Sequence, residues 1–374
     1  MNGAFANQSG QSGLFADSCR KFNREMLILA RESRGLTQID LAEAVGMKQA
    51  ALSKIENGLR DPNELQISAF SKYLGYTDEF FYLGEQIQRF GSGCTYHRAR
   101  QKAQVTEMRR LLGIINVRRI QVSGLLGGVE LTPDNEFIRL DVDENGSPAE
   151  IARAVRAFWK LPPGPVQNLT RAIEDAGGIV LRCDFGTRDV DALSQFLSEG
   201  TPLFLANATI PQDRLRFTLA HELAHITMHH FPNDEMEKEA DLFAAEFLMP
   251  ADEIRADLYD VTLPKLAALK GYWKVSMNAL LKRAGDLETI TPRKRQSLWT
   301  QMGKYGYRRH EPVELPQEEP TLLAEMVNTY RNDLGYTSAQ LSLAVNEAED
   351  RIEDVYLPRR FPLKAINSRS KNQY

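Results

Sequence analysis

The chain has 374 residues, of which 43% are hydrophobic and 26% charged, with a formal net charge of −4 at pH 7. That length predicts two or three domains rather than one, and the composition excludes a disordered or low-complexity chain. Three widely spaced cysteines, Cys19, Cys94 and Cys183, form no CxxC pair, which excludes a disulfide framework and points to a reducing compartment. The N-terminus lacks a basic and then apolar leader, and no run of about 18 apolar residues is present, so a cytoplasmic protein without a membrane role is expected.

Residues 1–20, rich in Gly, Ser and Gln, read as a flexible arm. Over 21–84 the pattern is helical, with turns at Gly35, Gly46, Gly58 and Gly75. A helix from Thr37 to Val45 ends at Gly46, and a second runs from about Lys48 to Asn57. Leu41, Ala42, Val45, Leu52 and Ile55 give the pair one apolar face, so the two form a helix-turn-helix. Residues 85–125 read as a basic connector: Arg89, Arg98, Arg100, Lys102, Arg109, Arg110, Arg118 and Arg119 are opposed there mainly by Glu107.

Short strands are expected at "GVELT" and "FIRLDV". Ser147 caps the next helix, with Pro148 at its first position and Glu150 closing a capping box. "NLTRAIEDAGG" is a helix stopped by glycines, followed by strands at "IVLRCDF", "DALSQFL" and "TPLFLANAT" in one small sheet. Two long helices carry "RFTLAHELAHITMHH" and "EMEKEADLFAAEFLMP", and "LPKLAALKGYWKVSMNALLKRAGDL" adds further helix. "GYRRHEPVELPQEEP" reads as a charged connector. "LGYTSAQLSLAVNEAEDRIEDVYL" looks like a degenerate helix-turn-helix, with Gly335, Leu341, Ile352 and Val355 in suggestive places. Its acids, Glu347, Glu349, Asp350, Glu353 and Asp354, would repel phosphate, which favours an interaction or dimerisation role. The tail after 357 is basic, and no internal repeat is evident.

His221-Glu222-Leu223-Ala224-His225 is an HExxH sequence. On a helix, positions i and i+4 share a face, so both imidazoles can bind one zinc ion while Glu222 stands beside it as general base. A third ligand is needed. Helical spacing selects Glu237, which shares the inward side of its helix with Ala240 and Ala244. Asp241, one turn on, can orient a ligating histidine. Glu239 projects to the side and toward solvent. His229 and His230 read as surface or supporting residues. Glu-x-x-x-Asp after HExxH is the arrangement of gluzincin metalloproteases. Zinc binding would bring the pKa of water toward about 7. Asn207, His229 and the tyrosines are candidates for stabilising an oxyanion, and the sheet edge near "PLFLANA" for docking a substrate strand. Cys94, in the Gly-flanked "GSGCTYH", is a candidate regulatory thiol able to close the open zinc position.

Two resemblances follow. Thr37-Gln38, Leu41-Ala42, Gly46 and "SKIENG" at 53–58 resemble the Xre/lambda-Cro-type DNA-binding domain. The resemblance places Lys48, Gln49, Ala50, Ser53 and Lys54 toward the major groove of double-stranded operator DNA and Gln38 on a phosphate. Acids nearly balance bases over 21–62, so affinity needs a homodimer or help from the connector. "RFTLAHELAH" with "EADLFAAEFLMP" resembles the ImmA/IrrE family of zinc metallopeptidases, over roughly 145–255. That resemblance implies a peptidase cleaving a helix-turn-helix repressor, an antitoxin or the chain itself, and so releasing genes of stress response, mobile elements or phage defence. A peptidase-like domain that only senses a ligand or partner is the alternative.

The expected fold class is therefore mainly α with a small mixed β-sheet (α+β). The expected order is an all-α helix-turn-helix domain (21–84), the connector (85–125), a zincin-like metallopeptidase domain with one zinc per chain (126–290), and a helical C-terminal region with the basic tail (291–374).

Overall fold

A computed structural model of the chain describes residues 21–85, 87, 105–229, 231 and 233–357. These are mainly helical around one small mixed sheet, as expected. The N-terminal helices are α1 (Arg24–Ser33), α2 (Gln38–Ala44), α3 (Gln49–Glu56) and α4 (Glu64–Leu74), followed by a 3-10 turn at Asp78–Tyr82. Capping boxes start α2 (Thr37 with Asp40) and α4 (Asn63 with Gln66), satisfying backbone N–H groups that the helices leave free. Gly46, at φ 68°, makes the turn between α2 and α3. Leu27, Leu41, Leu52, Phe70 and Phe80 fill the core beneath them.

Half of the expected connector is helix α5 (Val105–Leu126), and it is buried rather than solvated. Val117 and Ile120 complete the N-terminal core. Leu111, Ile115, Val122 and Leu125 enter a second core on the other side. Arg118 and Arg119 are consumed by Glu347 and Glu85, so they form no free basic face. Arg89, Arg98, Arg100, Lys102 and Cys94 lie outside the described residues.

The strands expected at "GVELT" and "FIRLDV" do not form. Phe137, Ile138 and Leu140 do pack on the core, but no neighbouring strand offers a ladder. Isolated bonds hold the stretch instead, from Asn135 N to Asp175 O and from Leu140 N to Thr227 O (both 3.0 Å). Helix α6 (Pro148–Phe158) follows, started by the expected Ser147/Glu150 capping box, and then α7 (Leu169–Asp175).

The sheet contains β1 (Ile179–Cys183), β2 (Ala192–Phe196) and β3 (Pro202–Asn207) in the order β1-β3-β2, with β1 parallel and β2 antiparallel to β3. Strand alternation sends Val180, Phe204 and Ala206 into one core and Ile179, Leu181, Leu203 and Leu205 into the other. The sheet is thus a partition. On its first face lie α8 (Gln212–Met228), α9 (Met236–Leu248), α10 (Leu263–Trp273), α11 (Met277–Asp286) and α12 (Pro292–Lys304). On its second lie α5, α13 (Leu322–Asn332), α14 (Ser338–Val345) and α15 (Glu349–Tyr356).

The stretch expected to be a charged connector before α13 is built into the body. Lys270 Nζ donates to both Asp213 and Glu311 (2.7 Å each). Glu318 meets the buried Arg216 guanidinium and accepts from Leu169 N (2.9 Å) and Thr170 N (3.1 Å), capping α7. Residues beyond 290 therefore contribute to both cores rather than forming a body of their own. Glu318→Ala should destabilise the protein by about 3–5 kcal/mol in a urea melt, because it strands a buried guanidinium. Arg171→Ala, which breaks a solvent-screened pair with Asp175, should change stability by less than about 1 kcal/mol.

Candidate metal centre

Helix α8 is buried on almost every side from Leu219 to Met228, and α9 packs along it. His221 and His225, one turn apart, present Nε2 atoms 3.1 Å from each other. Glu237, in the first turn of α9, brings carboxylate oxygens to 3.5 Å from His225 Nε2 and 3.7 Å from His221 Nε2. One ligand atom from each residue lies within 4.8 Å of the others. Two ligands held about 2.0–2.1 Å from a tetrahedral ion sit roughly 3.3 Å apart, so this two-nitrogen, one-carboxylate set fits a zinc-like cation with a position left open.

The back side of each imidazole is also engaged. His221 Nδ1 is 3.0 Å from Asp241 Oδ1, and Lys282 Nζ is 3.3 Å from the other oxygen of that carboxylate. His225 Nδ1 is 2.8 Å from His229 Nδ1, whose Nε2 is 3.1 Å from Glu239 Oε2. With Nε2–H of His229 donated to Glu239, its Nδ1 accepts from His225. In their neutral forms His221 and His225 would then keep a proton on Nδ1, which leaves Nε2 as the nitrogen able to ligate a cation between them and Glu237. Glu239 thus faces inward to His229, against the expectation of a solvent-facing acid. His230 lies outside the described residues. Glu222 is 1% exposed, and Ser194 Oγ on β2 donates to its Oε2 (2.7 Å).

Electrostatics match this division of roles. Burial disfavours the charged form of His221, but hydrogen bonds to Asp241 and Glu237, with the Glu222 charge, outweigh it and raise its pKa to about 9. Burial would raise Glu237, yet its bonds to His221 and His225 hold it well below the usual carboxylate range. Burial and the neighbouring His225 lower His229 to about 4, leaving it neutral and able to accept.

Two expected oxyanion candidates are otherwise occupied. Asn207 is fully buried, and its amide is spent on Thr187 O, Val190 O and the Thr209 backbone and hydroxyl. His229 is tied between His225 and Glu239.

In the helix-turn-helix, Lys48, Gln49, Ala50 and Lys54 are exposed and Ser53 is half-buried along α3. Arg31 holds buried Glu56 through two bonds (2.6 and 3.0 Å). Glu56 accepts from Gln38 Nε2 (2.7 Å), whose Oε1 accepts from Gln49 Nε2 (2.9 Å). Gln38 therefore orients Gln49, rather than standing free for a phosphate as expected.

Residues 173–284 match the family described as the IrrE N-terminal-like domain, a peptidase family, and residues 27–81 match the helix-turn-helix family. The chain thus joins a segment that matches each of the two families. No curated protein matches it. The IrrE-like segment includes the sheet, α8, α9 and most of α11, and with them every side chain named around the histidine pair, from Ser194 to Lys282. Sequence reasoning missed Ser194, Lys282 and the His229–Glu239 relay. Only the i+8 position of His229 on α8 hinted at any of them.

His221 pKa near 9 means that the metal-free imidazole carries an extra proton on Nε2 at pH 7. Metal ligation needs that lone pair, so zinc uptake at pH 7 should release about one proton, and the release should fade as pH rises through about 9. Calorimetric titrations in buffers of different ionisation enthalpy measure it; zinc uptake without proton release at pH 7 would contradict this electrostatic arrangement.

Proposed function

We propose that the chain is a DNA-binding transcriptional regulator carrying a zinc endopeptidase of gluzincin type. Its reaction is hydrolysis of a peptide bond in a helix-turn-helix repressor, an antitoxin or the chain itself, controlling stress, mobile-element or defence genes. The observation that carries this reading is the meeting of His221, His225 and Glu237 around one point, with Glu222 buried between the pair on the same helix. A sensor that only bound a ligand would have no use for that carboxylate. Bound zinc supplies a Lewis acid and acidifies water. Asp241 and the His229–Glu239 pair fix the imidazoles, and Glu237 supplies the third donor. Glu222, oriented by Ser194, takes the proton of the attacking water and delivers it to the leaving amine nitrogen.

The substrate strand is assigned to β2 rather than to the expected "PLFLANA" segment. That segment is β3, which is central and paired on both sides. Among the described residues β2 pairs only with β3, and its Ser194 reaches Glu222. An extended peptide added to β2 would run past the zinc ligands with its backbone hydrogen-bonded.

On the DNA side, Gln49 and Lys54 read base edges from the exposed side of α3, with Lys48, Ala50 and Ser53 lining the same face, and Gln38 sets the Gln49 amide. One reading helix of modest charge favours two chains on a palindromic operator.

Two measurements test the reading. Glu222→Gln should retain one zinc per chain and lose cleavage of the partner repressor or antitoxin by roughly 10²–10⁴-fold. Full zinc occupancy in the parent without cleavage of any such candidate would favour the sensing role. Gln49→Ala with Lys54→Ala should weaken operator binding by at least about tenfold in a shift assay and leave zinc content intact. Unchanged affinity would refute α3 as the reading helix.

A further inference from the structure

The last three described helices repeat the first three, a relation not evident along the sequence. At a constant spacing of 300 residues, eight residues recur: Glu25, Met26, Arg31, Gly35, Thr37, Leu41, Ala44 and Val45 as Glu325, Met326, Arg331, Gly335, Thr337, Leu341, Ala344 and Val345. The structure follows the spacing. Helix α2 opens on a capping box of Thr37 with Asp40, and α14 on one of Thr337 with Gln340. Gly35 and Gly335 sit at φ 70° and 69°, and the turn residues Gly46 and Asn346 at 68° and 53°. Helix α3 spans Gln49–Glu56, and α15 spans Glu349–Tyr356. Leu52 and Ile352 occupy the same buried position. Repetition of caps, turn conformations and core positions in one register is what two copies of one unit produce.

The copies differ where the first would read DNA. Gln49, Ala50, Ser53 and Lys54 correspond to Glu349, Asp350, Glu353 and Asp354, all four exposed. Four carboxylates in those places repel a phosphate backbone. The second difference is at the turn. Met47 of the first copy corresponds to Glu347, which is fully buried. Glu347 reaches Arg34 of the first copy (2.9 Å) as well as Arg118 of α5 (3.2 Å) and Arg351 (3.1 Å). Next to it, Ala348 N donates to Gly75 O (3.2 Å), and Thr77 Oγ1 donates to Asn346 Oδ1 (3.2 Å). Both copies also lie against α5 at glycines: a Cβ on Gly113 would strike the backbone of Ser33, and one on Gly124 the carbonyl of Ala344.

We propose that residues 322–357 are a second, degenerate helix-turn-helix unit that has exchanged DNA reading for docking onto the first through Glu347. Each chain then offers one reading helix in spite of its two units. The first unit is seated on the IrrE-like body by a charged group buried at the junction. A carboxylate surrounded by three guanidinium groups ties the two copies and α5 together, and its removal leaves partly buried guanidinium charge uncompensated.

Hydrogen exchange of the full-length, zinc-loaded protein tests this. In Glu347→Gln the amides of 74–77 and 346–348 should exchange at least about tenfold faster, while α8 and α9 exchange as in the parent. Arg34→Gln keeps Glu347 paired with Arg118 and Arg351, so it tests the contact between the copies even where Glu347→Gln fails to fold, and it should accelerate the same two stretches. Parent-like exchange at 74–77 in Arg34→Gln overturns the dock. In the parent, a random-sequence DNA duplex at low salt should leave exchange in α15 unchanged; protection of α15 by the duplex overturns the loss of DNA reading.

Discussion

Arg216 is 1% exposed in the second turn of α8, and it can be there only because Glu318 meets it. An isolated guanidinium in an apolar core is costly enough to prevent burial, whereas one paired with a carboxylate and bonded to Val166 O is tolerated. The carboxylate arrives from 102 residues further along the chain. The segment that delivers it also supplies Glu311 to Lys270, and Glu174 in turn receives the backbone of Thr321 and Leu322. The burial of α8 therefore depends on the C-terminal third lying back across it. A metal-binding helix needs that burial, since solvent weakens a fixed ligand set.

Around the histidine pair, orientation is layered. The helical repeat lines up His221 and His225 along α8, with His229 just past its end, and Glu237 with Asp241 along α9. Each ligand imidazole has its own acid, Asp241 directly and Glu239 through His229. The sheet contributes once, through Ser194 to Glu222. The two helices and an edge strand thus converge on one point from three directions, and among the described residues the strand that holds Glu222 pairs on one side only.

Helix α5 links this body to the helix-turn-helix end. One side of it completes the N-terminal core, and the other joins the core behind the sheet. Its basic character suggested a solvated connector because charge along a sequence does not reveal which charges will find partners. Arg118 is buried among Glu347, Tyr356 and Cys183, and those contacts, despite burial, raise its affinity for its proton. The same limitation concealed the repeat. Its eight identities are scattered, and the copies diverge in the residues that reach solvent or a neighbour.

What the residues determined by themselves was local. Capping boxes at Thr37 and Ser147, the glycine turn at Gly46, and the i, i+4 placement of the histidines and of Glu237 with Asp241 all follow from interactions within a few residues, which periodicity and side-chain chemistry encode directly. Strand propensity was equally legible, but it misled at 129–141, where apolar alternation met no partner strand. Tertiary structure alone decided that β3 is central and β1 and β2 are edges, that Ser194, His229 and Lys282 surround the site, that Gln38 serves Gln49, and that residues 311–318 return to α8. Each of these depends on which distant segments come into contact. That is settled by the joint burial of apolar faces and by pairing the charges those faces carry inside, and no pattern within a short window contains it.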